Sequence, residues 1–303
     1  MGGVTLRPIE ERDVERAGDV NFVAFYTEAL AHGQRPNVGT PGESRRYIRH
    51  LHGFDPLGGV LAEENGEIVG VGWLHPRGPV ATIGPLAVDP RRQGRGIGRL
   101  LLERLIEVAG RGVPQIRLVQ ESHSTVSLGL YLRAGFRVVS PLLDLELQAG
   151  TSLSPPVLPR GVILRPAGSA DDRSRIVQRD TRAFGAQRPQ SVDLYLQSGR
   201  VLVAMRADSL VGYALGIGFH GMAHLGSASA EDADLLLGLL ATLAGEFSAE
   251  GHVVRILVPA SDRRLVDGLL GFGFRVFRAC HYMVRGGGTA PPPNYVLMNG
   301  DMM

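Results

Sequence analysis

Lysine is missing from this 303-residue chain: all 32 basic side chains are arginine, and against 30 acidic ones they leave a net charge of only +2. That balance excludes a protein that holds nucleic acid by bulk charge, so any anion site has to be built locally. A single cysteine, Cys280, excludes an internal disulfide and any multi-cysteine metal site, and it suits a reducing cytoplasm. No stretch of 18 apolar residues occurs, and the opening MGGVTLRPIEERD puts charges where a signal peptide needs an apolar run. The expectation is a cytoplasmic protein with no membrane partner and no metal. What is present is 44% hydrophobic and 20% charged, enough to bury cores and exclude general disorder, and the length favours two domains.

The chain repeats itself. TLRPIEERD from Thr5 is echoed by ILRPAGSADD from Ile163, and GEIVGVGWL from Gly66 by DSLVGYALG from Asp208. QIRLVQESHSTVSLGLYLRAGFRVV from Gln115 is echoed by VVRILVPASDRRLVDGLLGFGFRVF from Val253. Echoes in preserved order mean duplication of one fold and not a short-period solenoid. Between them, Gln148 to Gly161 is rich in Gly, Ser, Thr and Pro and lacks periodicity, as a linker does. The expected organisation is a first lobe over 1–148, a linker over 149–160, a second lobe over 161–286 and a tail over 287–303. Gly and Pro leave that tail without a core-forming pattern, although Tyr295 to Met298 read as a short edge strand.

Within the first lobe the patterning predicts a strand Val4 to Pro8, helices Arg12 to Leu30 and Gly42 to Leu51, and strands Gly59 to Glu64 and Ile68 to Leu74. TIGPLAV is a buried strand around Leu86, DPRRQGRGIG a turn, and RLLLERLIEVAGRG a helix with Leu101, Leu105 and Val108 at helical spacing. QIRLVQ is a strand, TVSLGLYLRAG a helix and FRVVSPLLDLEL a last strand pair. Antiparallel strands followed by a strand, turn, helix and strand predict an α/β fold with a mixed sheet, present twice as a tandem duplication.

Between the buried strand and the helix, QGRGIG exposes successive backbone N–H groups because Gly94, Gly96 and Gly98 carry no Cβ. Arg91, Arg92, Arg95 and Arg99 surround it, and the helix start adds partial positive charge, so the turn suits a diphosphate. No G-K-[ST] follows, which removes a P-loop, and the alternation G-x-G-x-G does not satisfy the dinucleotide fingerprint. Instead Gln93, Gly96 and Gly98 stand as Q-x-x-G-x-G, with LAVDP before and LYLRAGF after. Here the chain resembles the GNAT superfamily of acyl-CoA-dependent N-acyltransferases, over all of the first lobe and more weakly over the second.

That resemblance implies that the loop Gln93, Gly94, Arg95, Gly96, Ile97, Gly98 and Arg99 grips the pyrophosphate of acetyl-CoA, the cosubstrate. Backbone around Leu86, Ala87 and Val88 would pair with the pantetheine arm like an added strand. It also implies a general acid at Tyr131, four residues before Gly135; a phenol of ordinary pKa near ~10 can protonate a leaving thiolate. An N–H of Leu86 or Ala87, freed where two central strands splay in this family, is the candidate oxyanion donor. Where the family often has Asn and Ala, seven and four residues before the tyrosine, this chain has Ser124 and Ser127, both able to hydrogen-bond. Glu121, His123 and His75 are candidates for the base that strips the acceptor ammonium, beside a water chain. Phe22, Phe25 and Tyr26 on the first helix, which walls the acceptor cleft in the family, and Glu28 are candidates to meet the acceptor.

The second lobe carries Glu231, Asp232 and Asp234 where the first has its arginines, and Leu269 where the first has Tyr131. A diphosphate would be repelled there by roughly 1 kcal/mol in water and about 4 kcal/mol at an effective dielectric of 20. The acids read instead as partners of a helix N-terminus, and the lobe as having lost cradle and acid. It looks like the degenerate C-terminal domain of two-domain GNAT proteins of the YitH type, with a structural or substrate-shaping role. Mycothiol synthase, another tandem member, has its active lobe second, so its substrate is not transferred here. His220 and His224 lie in GIGFHGMAHLG, two strands and a turn, where i,i+4 spacing does not converge on a metal. The expected activity is direct transfer of acetyl to a primary amine of a small molecule or peptide, by a monomer or homodimer. The alternative is a non-catalytic acyl-CoA sensor or interaction module.

Overall fold

The computed structural model describes residues 3–154, 157–219 and 221–298. By packing, the chain divides into two compact units, the first centred on residues up to Arg137 and the second on Val138 to Tyr282.

The first unit opens with β1 (Thr5–Pro8), followed by α1 (Val14–Ala31) and α2 (Pro41–Phe54). Arg7 of β1 reaches Asp13 with both terminal nitrogens at 2.6 and 2.9 Å, while the Asp13 carboxylate also accepts from the Glu10 N–H, which fixes where the helical run begins. The same device recurs in the second unit, where Arg165 holds Asp172 at 2.8 and 2.7 Å and Ser169 completes a capping box. This is what the repeated L-R-P and the acid beyond it encode. In α2, Thr40 caps the Glu43 N–H and Pro41 occupies the first turn. Strands β2 (Gly59–Glu64), β3 (Glu67–Arg77) and β4 (Val80–Val88) form an antiparallel meander beside β1. Helix α3 (Ile97–Ala109) then returns the chain to β5 (Gln115–Glu121), parallel to β4, and α4 (Thr125–Arg133) follows. Ile97, Leu101, Leu102 and Leu105 bury one stripe of α3 against the sheet; Val108, expected on that stripe, is exposed near the end of the helix.

The second unit repeats the plan. Its elements are β6 (Arg137–Leu147), β7 (Val162–Pro166), α5 (Ala170–Phe184), α6 (Pro189–Ser198), β8 (Arg200–Arg206), β9 (Ser209–Phe219) and β10 (Met222–Ala230). There follow α7 (Ala233–Ala249), β11 (Val253–Pro259), α8 (Arg263–Gly271), β12 (Arg275–Gly286) and β13 (Tyr295–Val296). The strands run β6-β11-β10-β9-β8-β7, and α7 buries leucines almost all round, which is why its sequence shows little amphipathic contrast.

Three details differ from the sequence expectation. FRVVSPLLDLEL is one continuous strand, β6, and not a pair. The units also do not follow the linear halves strictly, since most of β6 packs with the second unit and Met283–Gly288 with the first. The strand openings RVV and RVF are nearly identical, so nothing local says which sheet each joins. Finally, Tyr295 to Leu297 is no edge strand. It pairs with β10 at Ser229 and Ala228 and bridges to β11 at Leu257, entering where those strands diverge.

Candidate acyl-CoA site

Strands β4 and β5 pair at only three positions, Val80 with Gln115, Ala81 with Ile116 and Thr82 with Arg117. Beyond Thr82 the two run on without a ladder between them. Leu86, Ala87 and Val88 pair on their other side with Gly72, Val71 and Gly70 of β3, so their free edge borders the gap. The splay anticipated from the family resemblance is therefore built into the first unit, and its end leads into the glycine turn.

In that turn the Gln93 Nε2 donates to the Val88 carbonyl at 3.1 Å, tying loop to strand. Gly94 and Gly96 have φ of +75° and +84°, left-handed values that favour glycine, and a Cβ at either would meet nothing within 4 Å. The face above the turn is open. Gly96 is the N-cap of α3, no side chain caps that helix, and its first turn holds no acid, so its leading N–H groups are available to an anion. Buried Ile97 anchors the helix start, whereas Gly98 is not sterically required, because a Cβ there would sit at ordinary distances of 3.6 and 3.7 Å from Leu130 and Val88. A diphosphate group fits this donor set.

The arginines do less than their number suggested. Arg95 turns back to the buried Glu64 at 2.6 and 3.1 Å, and Arg92 approaches the same carboxylate at 3.4 Å. Arg91 is paired with Asp89 at 2.7 Å, and Arg99 lies 3.5 Å from Glu103. The positive end of the site is thus chiefly main chain, with Arg95 contributing its position in the loop and not a free guanidinium.

Tyr131 lies on α4 in the core of the first unit, 8% exposed and edge-on to Phe136 at 5.9 Å. The turn before it is held from within. The Ser124 hydroxyl caps the Ser127 N–H, and the Ser127 hydroxyl donates to the Ser124 carbonyl at 3.1 Å. Gln120, buried, donates to the Ser124 carbonyl at 2.8 Å and to the Ser127 hydroxyl at 3.1 Å. Gln120 was missed by sequence reasoning, though a signal exists: it follows Ile116 and Leu118 at period two on the core face of β5.

Glu121 and His123 do come together, with Nε2 of His123 3.4 Å from the Glu121 carboxylate. Two further residues join them that the sequence did not single out. Asn37 donates to Glu121 at 2.9 Å, and the His32 ring stands 5.1 Å from that of His123. Burial, aided by the His32 charge and opposed by Glu28, pushes the His123 pKa below that of a free imidazole. Glu28 lies 3.7 Å from His32. The rings of Phe22 and Tyr26 lie 4.9 Å apart and tilted by 33° along α1, half-buried like Phe25.

His75 is not placed as a base. It is fully buried, with Nδ1 2.5 Å from Asp55 and Nε2 2.9 Å from the Gly84 carbonyl, so both ring nitrogens are engaged. His220 lies outside the described residues; His224 sits on β10, its pKa pushed down to about 4 by burial. Among the described residues no group of three ligating side chains converges as a metal site, and no helix is long and apolar enough to cross a membrane.

In the second unit the corresponding features are spent on structure. Asp232 caps α7 through the Leu235 N–H at 2.8 Å, Asp234 pairs with Arg264, and Glu231 pairs with Arg206. Leu269 is fully buried. Strands β10 and β11 pair as far as Leu225 and Ile256, and the opening beyond is taken by β13. Tyr295, Val296, Leu297 and Met298 are all buried there, and the Tyr295 hydroxyl accepts from Arg188 at 2.8 Å. Arg188 is itself clasped by Asp180 at 2.7 and 2.9 Å.

A splayed parallel strand pair, a glycine turn at a helix start and a tyrosine on the next helix make the arrangement that the GNAT resemblance leads one to expect, and family models agree on the family. The Acetyltransferase (GNAT) family matches residues 26–136 and an Acetyltransferase (GNAT) domain matches residues 176–297. The chain belongs to the GNAT acetyltransferase family, as two such domains in tandem. Among curated proteins it is similar to the mycothiol acetyltransferase of Thermobispora bispora, 36% identical over 142 residues covering 44% of this chain and 46% of that one. The chain thus spans less than half the length of this relative. In fold it is similar to a GCN5-related N-acetyltransferase from Sphaerobacter thermophilus (TM-score 0.70, 21% identity, 96% of each chain). It is also similar to a tandem GNAT protein from the clavulanic acid biosynthesis pathway (TM-score 0.66, 18% identity, 95% of this chain and all of that one).

Proposed function

We propose that the first lobe moves acetyl from acetyl-CoA directly to a primary amine of a small molecule or peptide, while the second supports or shapes the acceptor site without chemistry of its own. The observation that carries this reading is the contrast between two equivalent gaps. The gap between β4 and β5 is bordered by the unpaired edge of Leu86 to Val88 and ends at an uncapped helix start. The one between β10 and β11 is filled by the chain's own β13 and ends at a helix capped by Asp232.

Bound acetyl-CoA would supply an activated thioester. The N–H groups of the turn from Gly94 to Gly98 hold the diphosphate, and the free edge of Leu86 to Val88 orders the arm by strand-like pairing. The N–H of Leu86, which the register turns away from β3, donates to the oxygen that gains charge as the amine attacks, and Tyr131 gives a proton to the departing sulfur. His123, whose pKa is lowered chiefly by burial, takes the ammonium proton, directly or through water, with Glu121 beside it. No side chain forms a covalent intermediate. The domain limits that go with this reading are a catalytic lobe over 1–148 and a silent lobe over 161–286, in a chain that works in the cytoplasm.

Calorimetry with acetyl-CoA, followed by CoA release across a panel of amines that includes mycothiol-related ones, tests it. One equivalent bound per chain and amine-dependent release are expected. Binding without release for every amine would favour the acyl-CoA sensor, and no binding would remove the cofactor site altogether.

A further inference from the structure

We propose that His75 is a positioning residue for acetyl transfer: from inside the sheet it holds the Gly84 carbonyl and so fixes the bulge in β4 beyond which the Leu86 N–H group is presented to the gap. The proposal rests on that gap being the place of the cofactor arm.

The bulge is visible in the register. Gly72 pairs with Leu86 and Leu74 with Ile83, so a single β3 residue, Trp73, faces two on β4, Gly84 and Pro85. An extra residue of this kind re-aims the strand beyond it, and beyond Pro85 lies the edge bordering the gap. The Gly84 carbonyl is met by the His75 Nε2 at 2.9 Å; because a carbonyl only accepts, that nitrogen carries the hydrogen. The ring cannot swing away, since Nδ1 is 2.5 Å from Asp55, whose carboxylate is held in turn by both terminal nitrogens of Arg77 at 2.9 and 2.8 Å. Arg77 also donates to the Pro76 carbonyl at 2.7 Å. Asp55 is the residue that ends α2, and its carbonyl accepts from the Trp73 Nε1 at 2.9 Å. A chain of contacts thus runs from the end of α2 through Asp55 and His75 to the bulge. His75 and Arg77 are almost completely buried. Burying such a trio is costly where apolar side chains would fill the space as well. An ion pair kept only for stability would have no need to end on the carbonyl at the bulge.

Two near-isosteric substitutions separate the ends of the ring. His75→Gln places an amide nitrogen where Nε2 sits, keeping the contact to Gly84; His75→Asn places one where Nδ1 sits, keeping Asp55 and releasing Gly84. Calorimetric affinities for acetyl-CoA and for CoA, which lacks the thioester carbonyl, are the readout. His75→Asn is expected to lower the ratio of acetyl-CoA to CoA affinity by about five- to tenfold, with CoA affinity within about twofold of wild type; His75→Gln restores the ratio. If the two variants behave alike, or if CoA affinity falls in step with acetyl-CoA affinity, the proposal is overturned. Should His75→Asn not fold, Asp55→Asn, which leaves the ring but frees it, must show the same selective loss in smaller measure, and an unchanged ratio overturns the proposal. A wild-type chain that binds neither ligand is a different failure, that of the cofactor site itself.

Discussion

Replacing Gly96 by glutamate tests the cradle most directly. Gly96 has φ of +84° and ψ of 0° at the start of α3, and the space a Cβ would enter is open. Any L-residue there carries left-handed strain of roughly 1–2 kcal/mol. That strain is present in the free and the bound chain alike, so it lowers stability and largely cancels from affinity. The carboxylate does not cancel. At about 4 Å from a phosphoryl group it adds roughly 1 kcal/mol of repulsion in water and about 4 kcal/mol at an effective dielectric of 20, and it removes roughly 0.3–1 kcal/mol of helix-end attraction. Together these weaken binding by about tenfold at the least and by roughly three to four orders of magnitude if the site is shielded from water. Isothermal titration with CoA measures the loss, with Gly96→Ala separating strain from charge: alanine should lower the melting temperature with an affinity within about tenfold of wild type. Wild-type affinity in the glutamate variant would refute the placement of the diphosphate at the start of α3.

Tyr131→Phe should lower turnover by about 10²- to 10⁴-fold with the acetyl-CoA dissociation constant nearly unchanged, as measured by stopped assays of CoA release beside calorimetry; full turnover would end its role as the acid. Tyr295→Phe removes an acceptor from buried Arg188, which keeps Asp180 and Ser227 as partners. A loss of about 1–2 kcal/mol in urea unfolding is expected, and an unshifted midpoint would show that the tail does not anchor there. Asp55→Asn makes stability depend on pH in a defined sense. Burial alone would raise the Asp55 pKa, but hydrogen bonds from His75 and Arg77 outweigh it and bring it down to about 2. The folded value lies below the unfolded one near ~3.9, so the carboxylate contributes roughly 2–3 kcal/mol above that value, lost as pH falls from about 4 through 2. The stability gap between wild type and Asp55→Asn should therefore be full at neutral pH and shrink across that window; a gap independent of pH would contradict it.

Much of this was legible in the sequence because the signals were local. The repeated L-R-P with an acid beyond it announces a strand clamped to a helix start, and Arg7 with Asp13 and Arg165 with Asp172 show why it repeats. Likewise the first two glycines of G-x-G-x-G before an apolar helix mark the turn that Gly94 and Gly96 build in left-handed conformation. What stayed hidden depends on distant partners. Four arginines read as a positive ring until Glu64, on β2 and some thirty residues away in sequence, is seen to claim Arg92 and Arg95. His75 looked like a candidate base because its sequence neighbours do not reveal Asp55, twenty residues earlier and at its ring. His32 and Asn37 carry no pattern of their own and become notable only where α1 and the loop after it approach the end of β5.

Residues 283–288 complete the first unit and residues 295–298 fill the second, so each lobe waits for chain that is made late. During translation the first unit cannot bury Met283, nor the second Tyr295 to Met298, until those residues have been made. The nascent first lobe, long since emerged, meanwhile holds unpaired strand edge and uncovered apolar surface that a holding chaperone would recognise.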